Sequence, residues 1–444
     1  MSAPAADPPL ERSHRRLSPL TPLVRSAILV LAALASTWDD VLHGQLGPVG
    51  WLFLTGLVAG AVYGTASWLR TKYWIESDEL RVDTGVVTRH SRRIRVDRLQ
   101  GIDIVQPLVA RILGLAELKM DVAGGRAREG SLAFLPLREA EDLRRILLSR
   151  RDAVRAGTTA PVVPAGDREL VLARLDLPTL VLSLLLSLET IGFLLAAVAT
   201  GAALAAWGHL GGMAALVPVL VGFGLTQLHR LSAYFDFTVS TSPAAADAGL
   251  HIRRGLFELN VQTISLARVQ GVVVSEPLMW RRFGWARLDV AVAGQHGSEG
   301  EGRPSASTVM PVAPRATVLV LARTLLAASG APDLDAVLLT PPPRRARWVA
   351  PVARRFLATG VGPDLVVSRS GILVRRTHAV PHARVQSLQL HQGPWQRRLG
   401  LADLRVDSPP GPVAVLGRHR DAGEARAVLE REVELTRRAR LSSG

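Results

Sequence analysis

Apolar residues in this chain follow two patterns, long unbroken blocks and short alternations, and the two take turns along the sequence. Four blocks, at 20–38, 48–69, 177–207 and 210–231, are long enough to cross a bilayer as helices, which takes about 20 residues at ~1.5 Å rise. They predict two hairpins. The first turns through TWDDVLHGQLGP, with acidic Asp39 and Asp40, and the second through AWGHLGG, which has no Lys or Arg. Elsewhere the period changes to two. Ile102 with Ile104, Val272 with Val274, and Leu388 with Leu390 put apolar side chains on one face of a strand. The runs LRVDTGVVTR, LHIRRGLFEL and LVVSRSGILVRR predict paired strands around Gly85, Gly255 and Gly371, where a turn needs positive φ or close backbone approach. Helices are predicted at 137–150, 313–329 and 422–440; in the last, Ala425, Val428, Leu429, Val433 and Leu435 form the apolar stripe.

These alternating parts are copies of one unit. Segments 85–118, 255–288 and 371–404 align over 34 columns without a gap. Seven columns are identical in all three: the glycines above; Arg98, Arg268 and Arg384; Gln100, Gln270 and Gln386; Arg111, Arg281 and Arg397; Gly114, Gly284 and Gly400; Ala116, Ala286 and Ala402; Leu118, Leu288 and Leu404. Chance would give roughly one or fewer. The repeat predicts a tail (1–19), hairpin (20–69), first module (70–150), linker (151–176), hairpin (177–231), second module (232–330), Pro-rich linker (331–347) and third module (348–440). No span precedes the third module, because RWVAPVARRFLATG is too charged to cross. The predicted class is an α+β membrane protein: four transmembrane helices in two hairpins plus three small β-barrel or sandwich modules, each capped by a C-terminal helix.

Charge fixes the expected orientation. Lys and Arg number 53 against 38 Asp and Glu, a net charge of +15, yet mean hydropathy is +0.22. A basic chain invites a nucleic-acid reading. Here the basic clusters flank the apolar blocks, at Arg12, Arg15 and Arg16, at Arg70 and Lys72, and at His229 and Arg230. That distribution predicts no nucleic-acid partner and, by the positive-inside rule, a multi-pass protein of the bacterial inner membrane with both termini and all modules in the cytoplasm. A basic leader followed by Ala33, Leu34 and Ala35 also fits a cleavable signal peptide, which would leave the topology after Trp51 unchanged. With no Cys, the chain has no disulfide, thiolate metal site or Cys nucleophile. Its 11 His make no metal-binding pair, and neither a GxSxG elbow nor a phosphate-binding Gly-rich loop occurs. The expectation is a protein without enzymatic activity, cofactor or metal.

Two apolar helices, then a strand-rich module with Gly, Arg and Gln at fixed spacing and an RxxG turn, resemble the membrane-anchored bacterial pleckstrin-homology-like family, and the triple arrangement resembles its YdbT-like members. The markers are Tyr73 and Tyr234, Gly85 and Gly255, Gln100 and Gln270, Pro107 and Pro277, RILG at 111–114 and RRFG at 281–284. The third copy departs, lacking the Tyr and its own helices, with Pro394 one column late. The resemblance implies a seven-stranded barrel or sandwich closed by a helix, anchored to the cytoplasmic membrane; it names no ligand.

Candidate contact residues follow. The run TRHSRRIRVDR supplies Arg89, Arg92, Arg93, Arg95 and Arg98 close to a membrane exit, suited to anionic lipid headgroups or equally to a solvated strand face. Gln100, Arg268, Gln270, Arg384 and Gln386 suit a partner or phosphate, although a side chain repeated among different neighbours more often satisfies the shared fold. Glu189 lies in the third apolar block, as an intramembrane polar group or, with the span slid to begin at Thr190, as an interfacial one. Gly56, Gly60 and Gly64 make a smooth helix face for a contact between copies or for generic packing. The expected role is a scaffold for membrane lipids and for membrane or cytoplasmic proteins. The alternative is a transporter or membrane-enzyme subunit working through Glu189.

Overall fold

The structure, a computed structural model, describes residues 15–16, 55–56, 72–76, 79–84, 90–122, 131–156, 170–208, 210–241, 249–293, 307–331, 334, 336–408 and 411–442. The expected first hairpin lies outside them except for 55–56, as do Gly60, Gly64, Gly85 and Arg89. The fold is α+β, built of antiparallel sheets and helices. It divides into two units, 1–165 with 257–263, and 166–256 with 264–444.

In the first unit, β1 (Arg15–Arg16), β2 (Lys72–Glu76), β3 (Glu79–Thr84) and β4 (His90–Arg95) form one sheet in that order. A second sheet holds β5 (Leu99–Pro107), β6 (Leu115–Val122) and β7 (Ser131–Pro136), with the short helix α1 (Leu108–Ile112) between β5 and β6. The free edge of β5 is taken by residues 258–261. Helix α2 (Leu137–Ala156) closes the module. It buries Ala140, Leu143 and Leu147, spaced i, i+3, i+7 on one face, against Leu80, Val96, Leu99, Ile102 and Leu118. Each such leucine contributes roughly 1.5–3 kcal/mol.

The second unit opens with β8 (Leu170–Arg174), α3 (Leu177–Leu185), α4 (Leu188–Ala206), α5 (Leu216–Tyr234), β9 (Thr238–Thr241) and β10 (Gly249–Arg254). Strand β11 (Glu258–Ser265) supplies the residues paired with β5, and β12 (Val269–Pro277), α6 (Leu278–Arg282), β13 (Trp285–Val292), β14 (Thr308–Pro314) and α7 (Arg315–Ala327) follow. Next come β15 (Ala358–Val361), β16 (Leu365–Ser370), β17 (Val374–Pro381), β18 (Ser387–His391), α8 (Pro394–Arg398), β19 (Leu401–Asp407), β20 (Val415–Asp421) and α9 (Ala422–Ser442). One six-stranded sheet, β14-β13-β12-β17-β16-β15, runs through the second and third copies of the repeat. Strands β18, β19 and β20 form a sheet of their own. Gly371, at φ 99, cannot carry a side chain, because a Cβ would overlap the carbonyl oxygen of Val374.

Three features differ from the sequence reading. The block 177–207 is two helices, not one: α3 ends at Leu185 and α4 starts beyond the N-cap Ser187. Helix α3 belongs to the module core through Leu180, and its Ser183 carbonyl accepts the indole N–H of Trp280 at 3.2 Å. Among the described residues two helical segments, Leu188–Ala206 and Gly212–Tyr234, are long and apolar enough to span a membrane, with mean hydropathies of 1.8 and 1.4. They leave Leu195, Val198, Val219 and Leu225 exposed, as lipid-facing side chains are.

The supposed linker 151–176 contains β8, which pairs with β9. The hairpin of the two long apolar helices is therefore inserted between two adjacent strands of a module. Strands β1 and β2 bracket the first predicted hairpin in the same way, with Arg15 opposite Tyr73. In the third copy the bracket shrinks to a bridge between Thr340 and Thr359, enclosing two 3₁₀ turns, Arg344–Trp348 and Ala353–Phe356.

The last helix differs as well. Val433 is half exposed, and the buried face of α9 carries Ala425, Glu432 and Thr436. Glu432 Oε1 lies 2.6 Å from Nδ1 of His382, whose Nε2 is 3.2 Å from the Gly362 carbonyl; both residues are fully buried. His382 occupies the column held by buried Val96 and Leu266, so a polar contact replaces an apolar one between the 3₁₀ turn and its capping helix. Replacing either partner alone by Leu leaves Glu432 buried without its partner, or His382 held by the Gly362 carbonyl alone, an expected loss of about 2–4 kcal/mol. The double replacement His382→Leu with Glu432→Leu is expected to recover most of that loss, read as a double-mutant cycle of unfolding midpoints for the full chain in detergent.

Candidate functional site at the basic strand and the module joints

Strand β4 carries the basic run along the edge of its sheet. Ile94 faces inward opposite Leu80, while Arg92, Arg93 and Arg95 are exposed. Arg95 grips Asp97 through two hydrogen bonds, Nε to Oδ1 at 3.1 Å and Nη2 to Oδ2 at 2.8 Å. That contact holds the Asp97 carboxyl below its ordinary value. The pair is exposed and adds little stability, but it offsets one charge of the run. Arg93 and Arg98 remain exposed, so this surface can meet anionic groups.

The repeated Arg and Gln columns are separated, not gathered into one pocket. Arg268 donates to the carbonyl of Ala293, and buried Gln270 donates from Nε2 to the Arg268 carbonyl at 3.1 Å. Arg384 donates to the Ala267 carbonyl at 2.7 Å. Gln386 is exposed, and the side chain of Gln100 lies outside the described residues. Where partners are visible they are main-chain carbonyls beside the 3₁₀ turns Leu266–Arg268 and His382–Arg384. These side chains satisfy backbone groups at the corner where one sheet gives way to the next.

The joints between copies of the repeat involve residues that the sequence reading named for the repeat but did not offer as contact candidates. Strand β5 pairs with β11, setting Ile104 opposite Val261. Strand β12 pairs with β17, setting Val274 opposite Thr377. Ile104 and Val274 share one column of the repeat, and Val261 and Thr377 share another, so both joints have the same register. Beyond Pro277 the Leu278 amide donates to the Leu373 carbonyl at 2.7 Å. Arg281 completes this joint, with Nε donating to the main-chain carbonyl of Glu276 at 3.1 Å and Nη2 to the carbonyls of Ile372 at 2.6 Å and Leu373 at 3.3 Å. Its identity in three copies was the available signal, but a main-chain target has no signature in sequence.

Charge concentrates on the same joint. The buried carboxylate of Glu276 meets Arg315 at 3.1 Å and Arg375 at 3.6 Å. It lines a cavity of about 100 Å³ with Arg315, Arg369, Val274, Val337 and Thr377. Burial, then the nearby Arg375, lowers the pKa of Arg369. His378, opposite Val273 in the joint, accepts the Ala414 N–H on Nδ1 at 3.2 Å. Burial, with Arg376 adding to it, pushes its pKa down to about 4.

Glu189 sits in the first turn of α4 and is ion-paired with Arg230 of α5. The N-cap Ser187 accepts the Thr190 amide at 3.1 Å, and Gln227 Nε2 donates to Thr190 Oγ1 at 3.1 Å, so the two helices are tied at this end. Phe193 and Phe223 stack between them with centroids 3.8 Å apart. Gly56 is exposed, and the rest of its small-residue face lies outside the described residues.

The family profile of the bacterial PH domain matches residues 26–151, 181–329 and 319–434, one segment for each copy of the repeat. The UPF0699 transmembrane protein YdbT of Bacillus subtilis (strain 168) is 23% identical over 285 residues, which cover 59% of this chain and 56% of the relative. The chain thus spans about half the length of the curated relative it matches.

Acid should loosen the joint at His378. Its folded pKa lies below the ordinary 6.5, so the unfolded chain binds the proton more readily. Stability from the neutral ring is complete above the unfolded value and is lost as pH falls through the folded one. Between about pH 7.5 and about pH 5 the wild type is expected to lose more melting temperature than His378→Asn, which keeps an acceptor but cannot take a proton; parallel pH profiles would refute the assignment.

Proposed function

The chain belongs to the bacterial PH domain family, and from that premise we propose that it is a non-enzymatic, multi-pass scaffold of the inner membrane, presenting three PH modules to the cytoplasm for anionic lipid headgroups and protein partners. The observation that carries the reading is the insertion of the hairpin α4–α5 between β8 and β9. A module interrupted in this way has no slack between core and bilayer, so its surfaces stay within reach of headgroups. A relative known as a transmembrane protein supports the membrane setting.

Tethering supplies the mechanism. Modules held at one surface share a small volume, and weak contacts made in series gain from high effective concentration. The exposed arginines of β4 suit the lipid part of this role, each adding ~1 kcal/mol beside an anionic leaflet. The ion pair of Glu189 with Arg230 at the end of the hairpin supports an interfacial clasp in preference to a transport path.

The absence of cysteine allows direct tests. Single cysteines placed at exposed Ser91 and Arg282 and at Ser408 are expected to react with an impermeant maleimide only from the cytoplasmic side, and labelling from outside would overturn the topology. In nanodiscs, the amides of β4 should exchange more slowly with anionic than with neutral lipid, an effect lost in Arg92→Glu with Arg93→Glu. Equal exchange in both lipids would leave protein partners alone as the role.

A further inference from the structure

We propose that a second copy of this chain docks on the outer edge of β18 with its own β4, repeating between molecules the strand pairing that the chain makes twice within itself. The inference rests on the scaffold reading for its use, but its test reads strand register and can fail or succeed without any lipid or partner being found.

The columns of the repeat define the joint. Strands β5, β12 and β18 occupy equivalent positions, as do β4, β11 and β17. Strand β5 receives β11, and β12 receives β17, in the same register. One receiving edge and one donating strand are left over. Among the described residues, β18 and β4 are each terminal in their sheets. Carried onto them, the shared register sets Leu390 opposite Ser91, Gln389 opposite Arg92 and Leu388 opposite Arg93.

Burial shows what the missing strand leaves uncovered. Ile104 and Val274, in receiving strands with partners, are 4% and 3% exposed, whereas Leu390 in the same column is 37% exposed. The clamp is incomplete in the same place. Arg281 holds the main chain ahead of β17, but its equivalent Arg397 is exposed, with no side-chain partner among the described residues. Strand β18 has neither Lys nor Arg, so the arginines of an incoming β4 meet no like charge on it. Each copy then offers one donor and one acceptor, a head-to-tail contact that closes into a ring or extends along the membrane.

The opposing reading is that three arginines on β4 and the shortness of β18 blunt both edges, as proteins do to avoid unwanted pairing. Disulfide mapping separates the two. The full chain would be made as two differently tagged populations in one membrane, Ser91→Cys in one and Leu390→Cys in the other, and oxidised. The expected product is a mixed covalent dimer, at least about tenfold above that from Arg92→Cys with Leu390→Cys, whose side chains leave opposite faces of the sheet. Arg93→Cys with Leu388→Cys should also give dimer. Adding Arg397→Ala should reduce the yield several-fold with an unchanged melting temperature. Absence of mixed dimer from both in-register pairs, equal yield from the off-register pair, or a disulfide formed only within one doubly substituted chain would each overturn the proposal.

Discussion

Main-chain hydrogen bonding at the edge of each module's second sheet is the constraint on which the arrangement of this chain depends. A β module of this kind leaves one strand with amides and carbonyls facing outward, and exposed edges of that type invite pairing. Here β5 and β12 meet the requirement with strands from the next copy of the repeat, β11 and β17. The second and third copies are therefore joined by continuous sheet and not by flexible linker alone. The apolar cores follow from this: Val261 packs into the cluster around Ile102, and Val367 and Ala379 belong to the cluster around Val272 and Val274.

The position of the apolar helix pair is the second constraint. A helix hairpin emerging between β8 and β9 needs those strands to begin and end side by side, which antiparallel pairing supplies. The third copy keeps the bracket at Thr340 and Thr359 but encloses two short turns rich in arginine, with Trp348 and Val352 exposed. The same module design thus tolerates a long insertion or a short one at this corner, because the bracketing pair and the core behind it do not depend on what lies between.

Much of the fold was legible because the repeat was. The glycine column marked turns that only glycine can make, and Gly114, Gly284 and Gly400 all adopt positive φ after their short helices. The alternation at Ile102 and Ile104 and the helices that follow β7, β14 and β20 were equally plain. Hydropathy misled at 177–207, since a core helix and a membrane helix are both apolar and only the Ser187 cap separates them. It misled again at α9, where burial of Glu432 depends on a histidine 50 residues earlier in the chain. The candidate site was the least legible part. Arg281, Arg268 and Arg384 act on carbonyls, and every residue has a carbonyl, so sequence could flag the donors but not their targets.

The insertion that holds α3, α4 and α5 leaves the sheet at the close of β8 and returns at the start of β9, two strand ends that lie side by side. Any pull on the insertion reaches those two strand ends together. Directed along the strands, such a pull would meet the neighbouring β10 in shear, across several hydrogen bonds at once. Strand ends set side by side in this way fix the insertion to one place on the module, whatever its length.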